Sequence, residues 1–408
     1  MRKIDLNRTG PARHHALRDF NEVLVLNAIR EIQPISRADI AAHTGLEAGT
    51  VSKIVARLLA SGFVREEGVG PASPLGGRKK RFLHINPDKA YALGIDVGPR
   101  EITIALSDFS GRILRSTAVS NQPSPQQAVA EVAKVVRKMV RHAPDRTRVE
   151  GIGVSLMGLI DPATGRVLAG ENLGWGQDVP FGALLKDALQ IELPIYFEND
   201  ARLAALAELW FGKDRVRQAR ELVFLDVGEG IGSGIVIGGQ IYSGSVNGAG
   251  EFGHISIDPT GPACSCGGRG CLEVFASDPA TLRRFHAVCR TEGNVAGASV
   301  SSVSDLVKLA RQGNSLAIEA LRQTAEYLGR GLVPIAYSVN PELIVIGGPI
   351  TEAWDIIYPE LRRTLTTQVN RFYLGYLTIV RSSLEHKPSL VGCIALVLAR
   401  AFSFSGLG

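Results

Sequence analysis

No run of apolar residues in this chain approaches the ~18 that a membrane-spanning helix needs, so membrane insertion is not expected. The opening Met1-Arg2-Lys3-Ile4-Asp5 has no apolar core of the kind a secretory leader carries. Cysteine is scarce: five residues, Cys264, Cys266, Cys271, Cys289 and Cys393, with three of them inside eight positions. An odd, clustered set argues against a disulfide framework and for thiols kept reduced beside a metal, as in a cytoplasmic protein. Compositional bias of the disordered kind is missing too, with 45% hydrophobic and 21% charged residues. At 408 residues the chain exceeds what one core fills, and two or three domains are expected.

Positive charge is the one excess, and it is unevenly placed. Residues 1–90 hold 15 Lys/Arg against 9 Asp/Glu, while the rest of the chain is near balance within its total of +5. A basic first quarter attached to a neutral remainder fits a nucleic-acid-binding segment. Within it, Phe20, Val23, Leu24, Ala28 and Ile32 recur at helical spacing, and Gln33-Pro34 closes that helix. Ser36 stands three residues before Asp39, a capping-box pattern, and the short helix it starts breaks at Thr44-Gly45-Leu46. The next helix buries Val51, Ile54, Val55 and Leu58. Two short helices joined at a glycine turn match a helix-turn-helix, although a plain helical bundle with a polar outer face has the same pattern.

The following segments favour DNA. Phe63-Val64-Arg65 and Phe82-Leu83-His84-Ile85 predict the two strands of a wing, joined by a Gly/Pro-rich loop that ends in Gly76-Gly77-Arg78-Lys79-Lys80-Arg81. Four successive cations are costly in a core and useful against phosphates or a narrow minor groove. The expected DNA contacts are Arg37, then Gly49, Thr50, Ser52, Lys53 and Arg57 on the second helix, and Arg78, Lys79 and Lys80 in the wing.

Downstream, Asp96-Val97-Gly98 ends an apolar run and opens a hairpin, and Asp226-Val227-Gly228 does the same 130 positions later. Such repetition predicts two similar α/β lobes facing each other across a cleft. Between and beyond them lie His254, Cys264, Cys266 and Cys271, one imidazole and three thiols within eighteen residues, separated by glycines that let the backbone wrap an ion. Four such ligands suit tetrahedral zinc and leave no open position for a reacting water, so the expected zinc is structural. Ile195–Asp200 reads as a strand running into an Ala/Leu-rich helix, with Asn199 or Asp200 as its N-cap.

Together these motifs resemble the actin-like sugar-kinase superfamily, and in particular the ROK family of repressors, open reading frames and kinases. The resemblance covers nearly the whole chain. Ser36-Arg37-Ala38-Asp39-Ile40-Ala41, Thr44-Gly45-Leu46 and Gly76-Gly77-Arg78 are similar to the family's DNA-binding head, and Gly250-Glu251-Phe252-Gly253-His254 to its signature before the cysteine loop. The resemblance implies a winged helix-turn-helix over residues 1–88. A two-lobed, actin-like (ribonuclease-H-like) α/β sugar-kinase-like domain follows over 89–408, with its zinc loop at 254–271. It also implies a sugar site. Asp200 matches the family's general base and Asn199 a sugar ligand; Glu251, His254 and Glu273 match further contacts, with Gly158 and Asn172 on the opposite rim.

The phosphate side departs from the family. Where kinases carry a Gly-Gly-Thr-Lys-like loop, this chain has Gly98-Pro99-Arg100-Glu101, and proline offers no amide hydrogen. Where they carry Gly-Thr-Gly-x-Gly, it has Gly228-Glu229-Gly230-Ile231-Gly232, with a carboxylate in place of a hydroxyl donor. Catalysis is expected to be lost, leaving Asp200 a relic base and Ile344-Val345-Ile346-Gly347-Gly348 a relic of the adenosine site. The expected protein is a regulator of carbohydrate genes, in the main a repressor, controlled by a sugar, sugar derivative or sugar phosphate. Its expected partners are double-stranded operator DNA and further copies of itself, as a homodimer or homotetramer, with a regulatory protein partner in some members. An active sugar kinase with an accessory DNA-binding head is the alternative.

Overall fold

A computed structural model describes residues 14–70, 80–170, 173–213, 215–292, 300–384 and 386–402. The head begins with α1 (His14–Ile32), β1 (Ile35–Ser36), α2 (Arg37–Thr44) and α3 (Ala48–Ala60), and ends with β2 (Val64–Val69) and β3 (Arg81–Ile85). Ser36 and Asp39 form the expected capping box: Asp39 N–H donates to Ser36 Oγ at 3.3 Å, and Ser36 N–H to the Asp39 carboxylate at 3.4 Å. Gly45, at φ +71°, ends α2 by donating to Ala41 O, a left-handed cap that glycine adopts without strain. Val51, Ile54, Val55 and Leu58 on α3 are all buried, as their spacing predicts. Strands β2 and β3 pair antiparallel, with β1 on the outer side of β3, giving a wing longer than the expected segments. Gly76, Gly77, Arg78 and Lys79 lie outside the described residues.

The buried face of α1 differs from the sequence expectation. Phe20 and Ile32 are 50% and 41% exposed, whereas Val25, Leu26, Ala28 and Ile29 are buried. The reason is tertiary. Val25, Leu26 and Ile29 share one core with the helix-turn-helix and with Phe109, Ile394, Leu398 and Phe402 from far along the chain. A side chain facing two neighbours cannot be placed by one helical stripe.

The first lobe contains β4 (Tyr91–Val97), β5 (Glu101–Asp108), β6 (Ile113–Ser120), α4 (Pro125–Arg141) and β7 (Val149–Leu156). A small sheet of β8 (Leu159–Asp161), β9 (Arg166–Ala169) and β10 (Gln177–Val179) follows, then α5 (Phe181–Leu189), β11 (Ile195–Asn199) and α6 (Asp200–Phe211). The second lobe contains α7 (Arg215–Gln218), β12 (Leu222–Val227), β13 (Ile231–Ile237), β14 (Gln240–Tyr242), α8 (Leu272–Ala276), α9 (Asp278–Thr291), α10 (Val303–Arg311) and α11 (Ser315–Ser338). It closes with β15 (Leu343–Gly347), α12 (Trp354–Gln368), α13 (Arg371–Tyr376), β16 (Thr378–Arg381) and α14 (Pro388–Ala401).

The duplication read from the two Asp-Val-Gly turns is visible in the strand order. Sheet one runs β6-β5-β4-β7-β11 and sheet two β14-β13-β12-β15-β16. In each, three antiparallel strands are followed by two parallel to the first. The central strands β4 and β12 carry Asp96 and Asp226 one residue before their ends, so the repeat delivers two equivalent carboxylates to the cleft end of each sheet. Each sheet also has its own apolar core.

Candidate functional site

A cleft enclosing about 130 Å³ opens between the lobes. Gly158, Asn199, Asp200, Glu251, His254 and Glu273, all expected from sequence, line it together with Asp226, Glu229 and Ser233. Asn172 lies outside the described residues. Asn199 also caps α6, as its position suggests: its side-chain oxygen accepts from Ala201 and Arg202 N–H at 3.0 and 3.1 Å. Its amide donates to Gly158 O at 3.1 Å. Gly158, at φ +87°, has no room for a side chain, since a Cβ would lie 2.2 Å from Ala169 O. Glu273 accepts from Ile231 N–H at 2.9 Å and so fixes the loop that opens β13.

Carboxylates dominate the floor. Burial, reinforced by Asp226 and Asp96, pushes Asp200 up to about 7. Burial also raises Asp226, although Lys387 opposes the shift. Asp278 is pushed up to about 7 by burial and then by Glu229 and Asp226. A cation answers part of this crowd: Lys387 Nζ lies 2.6 Å from Asp96. Burial alone would lower Lys387, but Asp96, Asp226 and Asp200 hold it above its ordinary value. Sequence reading missed Lys387, which carries no local motif.

The two departures from the kinase pattern meet. Arg100, in the turn after β4, donates to the Glu229 carboxylate in the turn after β12, so the turns after the two central strands are bridged by an ion pair. Gly347 and Gly348 have steric reasons to be glycine. A Cβ would lie 2.5 Å from the Phe224 ring at the first and 1.8 Å from Val227 O at the second.

His254, Cys264, Cys266 and Cys271 place their ligand atoms within 4.8 Å of one another. His254 Nδ1 is 3.6 Å from Cys264 Sγ, and Cys266 Sγ is 3.7 Å from Cys271 Sγ. A tetrahedral ion with metal–sulfur bonds of ~2.3 Å and metal–nitrogen bonds of ~2.0–2.1 Å separates its ligands by about 3.6–3.8 Å. The donor set fits. Burial and the two neighbouring sulfurs push the Cys271 thiol up to about 12, so three thiolates need a cation among them. His254 also lines the cleft, and Glu273, which follows Cys271 by two residues, lines it too, so the cluster borders the cleft.

On the head, Gly49, Ser52 and Lys53 are exposed and Thr50 is half-buried. Arg37, Ser52 and Lys80 border one groove. Lys53 makes no ion pair among the described residues. Arg37 pairs with Glu66 at 2.8 Å and Lys80 with Asp39 at 2.9 Å. Arg57 turns towards α1, donating to Glu22 at 3.0 and 2.8 Å. Among the described residues no helix is long and apolar enough to cross a membrane.

Fold and cleft thus define a sugar-kinase-like protein bearing a winged-helix head. A model of the ROK family matches residues 92–400 and one of the MarR family residues 19–71, and the chain belongs to the ROK family. It is 31% identical over 399 residues to a putative xylose repressor of Caldicellulosiruptor sp. (strain Rt8B.4), covering 96% of this chain and 98% of that relative. It is 29% identical to the DNA-binding transcriptional dual regulator NagC of Escherichia coli (strain K12), over 93% of each chain. Among solved structures, a ROK family transcriptional regulator homologous to the E. coli MLC protein aligns over 96% of this chain and 98% of that one. Its TM-score is 0.78, with 27% identity. A ROK family glucokinase from Streptomyces griseus, in complex with glucose and AMPPNP, covers 75% of this chain and 99% of its own at a TM-score of 0.66 and 27% identity.

Proposed function

We propose that this protein is a cytoplasmic transcription regulator of carbohydrate genes, in the main a repressor. A sugar bound between the lobes controls it, and the cleft transfers no phosphoryl group. The observation that carries this reading is the Arg100–Glu229 pair. It spans the lobes where a nucleotide's phosphates would have to enter, and it puts a carboxylate where a donor is needed. Pro99 removes a further amide donor. Lys387, bound to Asp96, supplies a fixed positive charge beside the carboxylates that a magnesium ion would otherwise neutralise.

The sugar side keeps its chemistry. Asp200, Glu251 and Glu273 offer acceptors to sugar hydroxyls, and the Asn199 amide offers the one N–H not given to Gly158 O. With Asp200 near its midpoint at neutral pH, its carboxyl also donates in the protonated fraction. Zinc, held by His254, Cys264, Cys266 and Cys271, would cross-link the loop that carries Glu273. Gly49, Thr50, Ser52 and Lys53 on α3 would meet a major groove, with Arg37 and the wing cations Arg78, Lys79 and Lys80 on flanking phosphates. Arg57 sits at the edge of that surface. Two heads in a homodimer or homotetramer would read two half-sites. The effector is a sugar or sugar phosphate, and a regulatory protein could act on the same lobes.

The test is calorimetry with magnesium-ATP, then with D-xylose, D-glucose and N-acetylglucosamine, beside an ADP-release assay. Sugar binding without ATP binding or ADP release is expected. Micromolar ATP binding with sugar-dependent ADP release would give the lead to the active-kinase reading.

A further inference from the structure

The head is attached to both lobes, and its two attachments differ. Helix α6 leaves the first lobe from β11 and packs on the second lobe's sheet. Gly234 of β13 lies so close that a Cβ there would sit 2.6 Å from Ala201 O. Helix α14 does the reverse: it leaves the second lobe after β16 and packs on the first lobe's sheet. A Cβ on Gly153 of β7 would lie 2.1 Å from Cys393 O. The two helices cross with backbones nearly touching, a Cβ on Gly392 lying 2.0 Å from Leu203 O. Both start at the cleft, α6 at Asp200 and α14 directly after Lys387, and both end in aromatic residues at the head, Trp210-Phe211 and Phe402.

The head follows the first lobe through the chain itself and through Phe63, whose ring is 5.8 Å from that of Phe109; Phe109 stacks on Phe402 at 4.9 Å. The far end of α1 is held instead by the end of α6, the helix that packs on the second lobe's sheet, and by α7 of the second lobe. The Arg30 guanidinium lies 4.2 Å from the Trp210 ring centroid and donates to Trp210 O, and Arg217 of α7 donates to Glu31 O at 2.7 Å. Arg30 is also 5.8 Å from the Phe402 ring, so one side chain touches the ends of both crossing helices.

From this geometry we infer that the clamp of Arg30 on Trp210 and Arg217 on Glu31 couples the cleft to the head. Its residues are positioning residues that convert lobe angle into head orientation. The inference rests on the sugar-control reading above. A lobe rotation slides α6 against α14 as packed bodies, and α1, fixed to one and clamped to the other, has to turn or let go. By linkage, whatever the sugar does to DNA affinity the DNA does to sugar affinity, and the clamp carries that shared factor.

The test uses the full-length wild type, the double variant Arg30→Met/Arg217→Ala and the milder Arg217→Ala. DNA affinity is measured on a duplex selected from a random pool, with and without saturating D-xylose, D-glucose or N-acetylglucosamine. Sugar affinity is measured with and without the duplex. The double variant should bind sugar and DNA separately within about twofold of wild type, while a wild-type coupling of roughly tenfold or more falls towards one in both directions. Arg217→Ala should fall between, which a folding defect in α1 would not produce. Full coupling in a folded double variant overturns the inference. A wild type with sugar binding but no coupling overturns it too, leaving the cleft a sugar site. No sugar binding at all removes the sugar-control reading itself.

Discussion

Arg100 and Glu229 stand 129 residues apart in the chain and form an ion pair across the mouth of the cleft. Each comes from the turn after the central strand of its own lobe, so the duplicated turn supplies both partners, although at positions one residue apart in the repeat. Their side chains are 78% and 41% exposed, which keeps the energetic value of the pair low. Its weight lies in what it occupies.

Removing that pair should therefore change binding more than stability. Arg100→Ala should cost less than ~1 kcal/mol in a denaturant titration. The triple variant Pro99→Gly, Arg100→Thr, Glu229→Thr regains an amide and two hydroxyl donors, and should bind magnesium-ATP at roughly millimolar strength, against none measurable in the wild type. Tight ATP binding by the wild type would show that the pair opens readily.

The thiol cluster should hold one zinc per chain, measured by elemental analysis. Cys266→Ser should lose the metal and at least about 2 kcal/mol of stability, along with sugar affinity, through the displaced Glu273. Cys289→Ser, at a buried cysteine outside the cluster, should keep the metal. Equal metal content in both variants would contradict the assignment.

Glu208 gives a pH prediction. It is fully buried on α6, and burial pushes it up to about 7, against the opposing pull of Ser382 and Ser383. A carboxyl whose folded value exceeds its unfolded 4.5 holds its proton more tightly when folded. Its stabilising contribution is present below the unfolded value and is lost as pH rises through about 7. From this group alone, stability should fall by on the order of 2 kcal/mol between pH 5 and 8. Glu208→Gln should flatten that slope and be the more stable protein at pH 8, as thermal unfolding at several pH values would show. An unchanged slope would mean that the carboxyl is ionised in the folded state.

On the head, Lys53→Ala should weaken DNA binding across sequences and reduce the salt slope by about one. Arg57→Ala should act mainly through stability, because its guanidinium is held by Glu22. A salt slope unchanged by Lys53→Ala would move the DNA contact to another surface.

Much of this was legible in the sequence because its causes are local. The capping box at Ser36 and Asp39, the glycine cap at Gly45 and the stripe from Val51 to Leu58 depend on neighbours within a few positions. The two Asp-Val-Gly turns revealed the duplication, and the packed cysteines a metal cluster. What escaped was long-range. The face of α1 was misplaced at Phe20 and Ile32 because its core partners include Ile394 and Phe402. Lys387 has no motif, and its role appears only when α14 is folded against Asp96. Arg100 and Glu229 were each visible as departures, but their pairing needed both lobes.

The most direct measurement is the affinity of the full-length protein for a duplex selected from a random pool, titrated with sugars in the absence of any nucleotide. Fluorescence anisotropy should show one sugar shifting that affinity by about tenfold or more, with no ADP released when ATP is later added. DNA affinity indifferent to every sugar, together with steady sugar-dependent ATP turnover, would contradict the account.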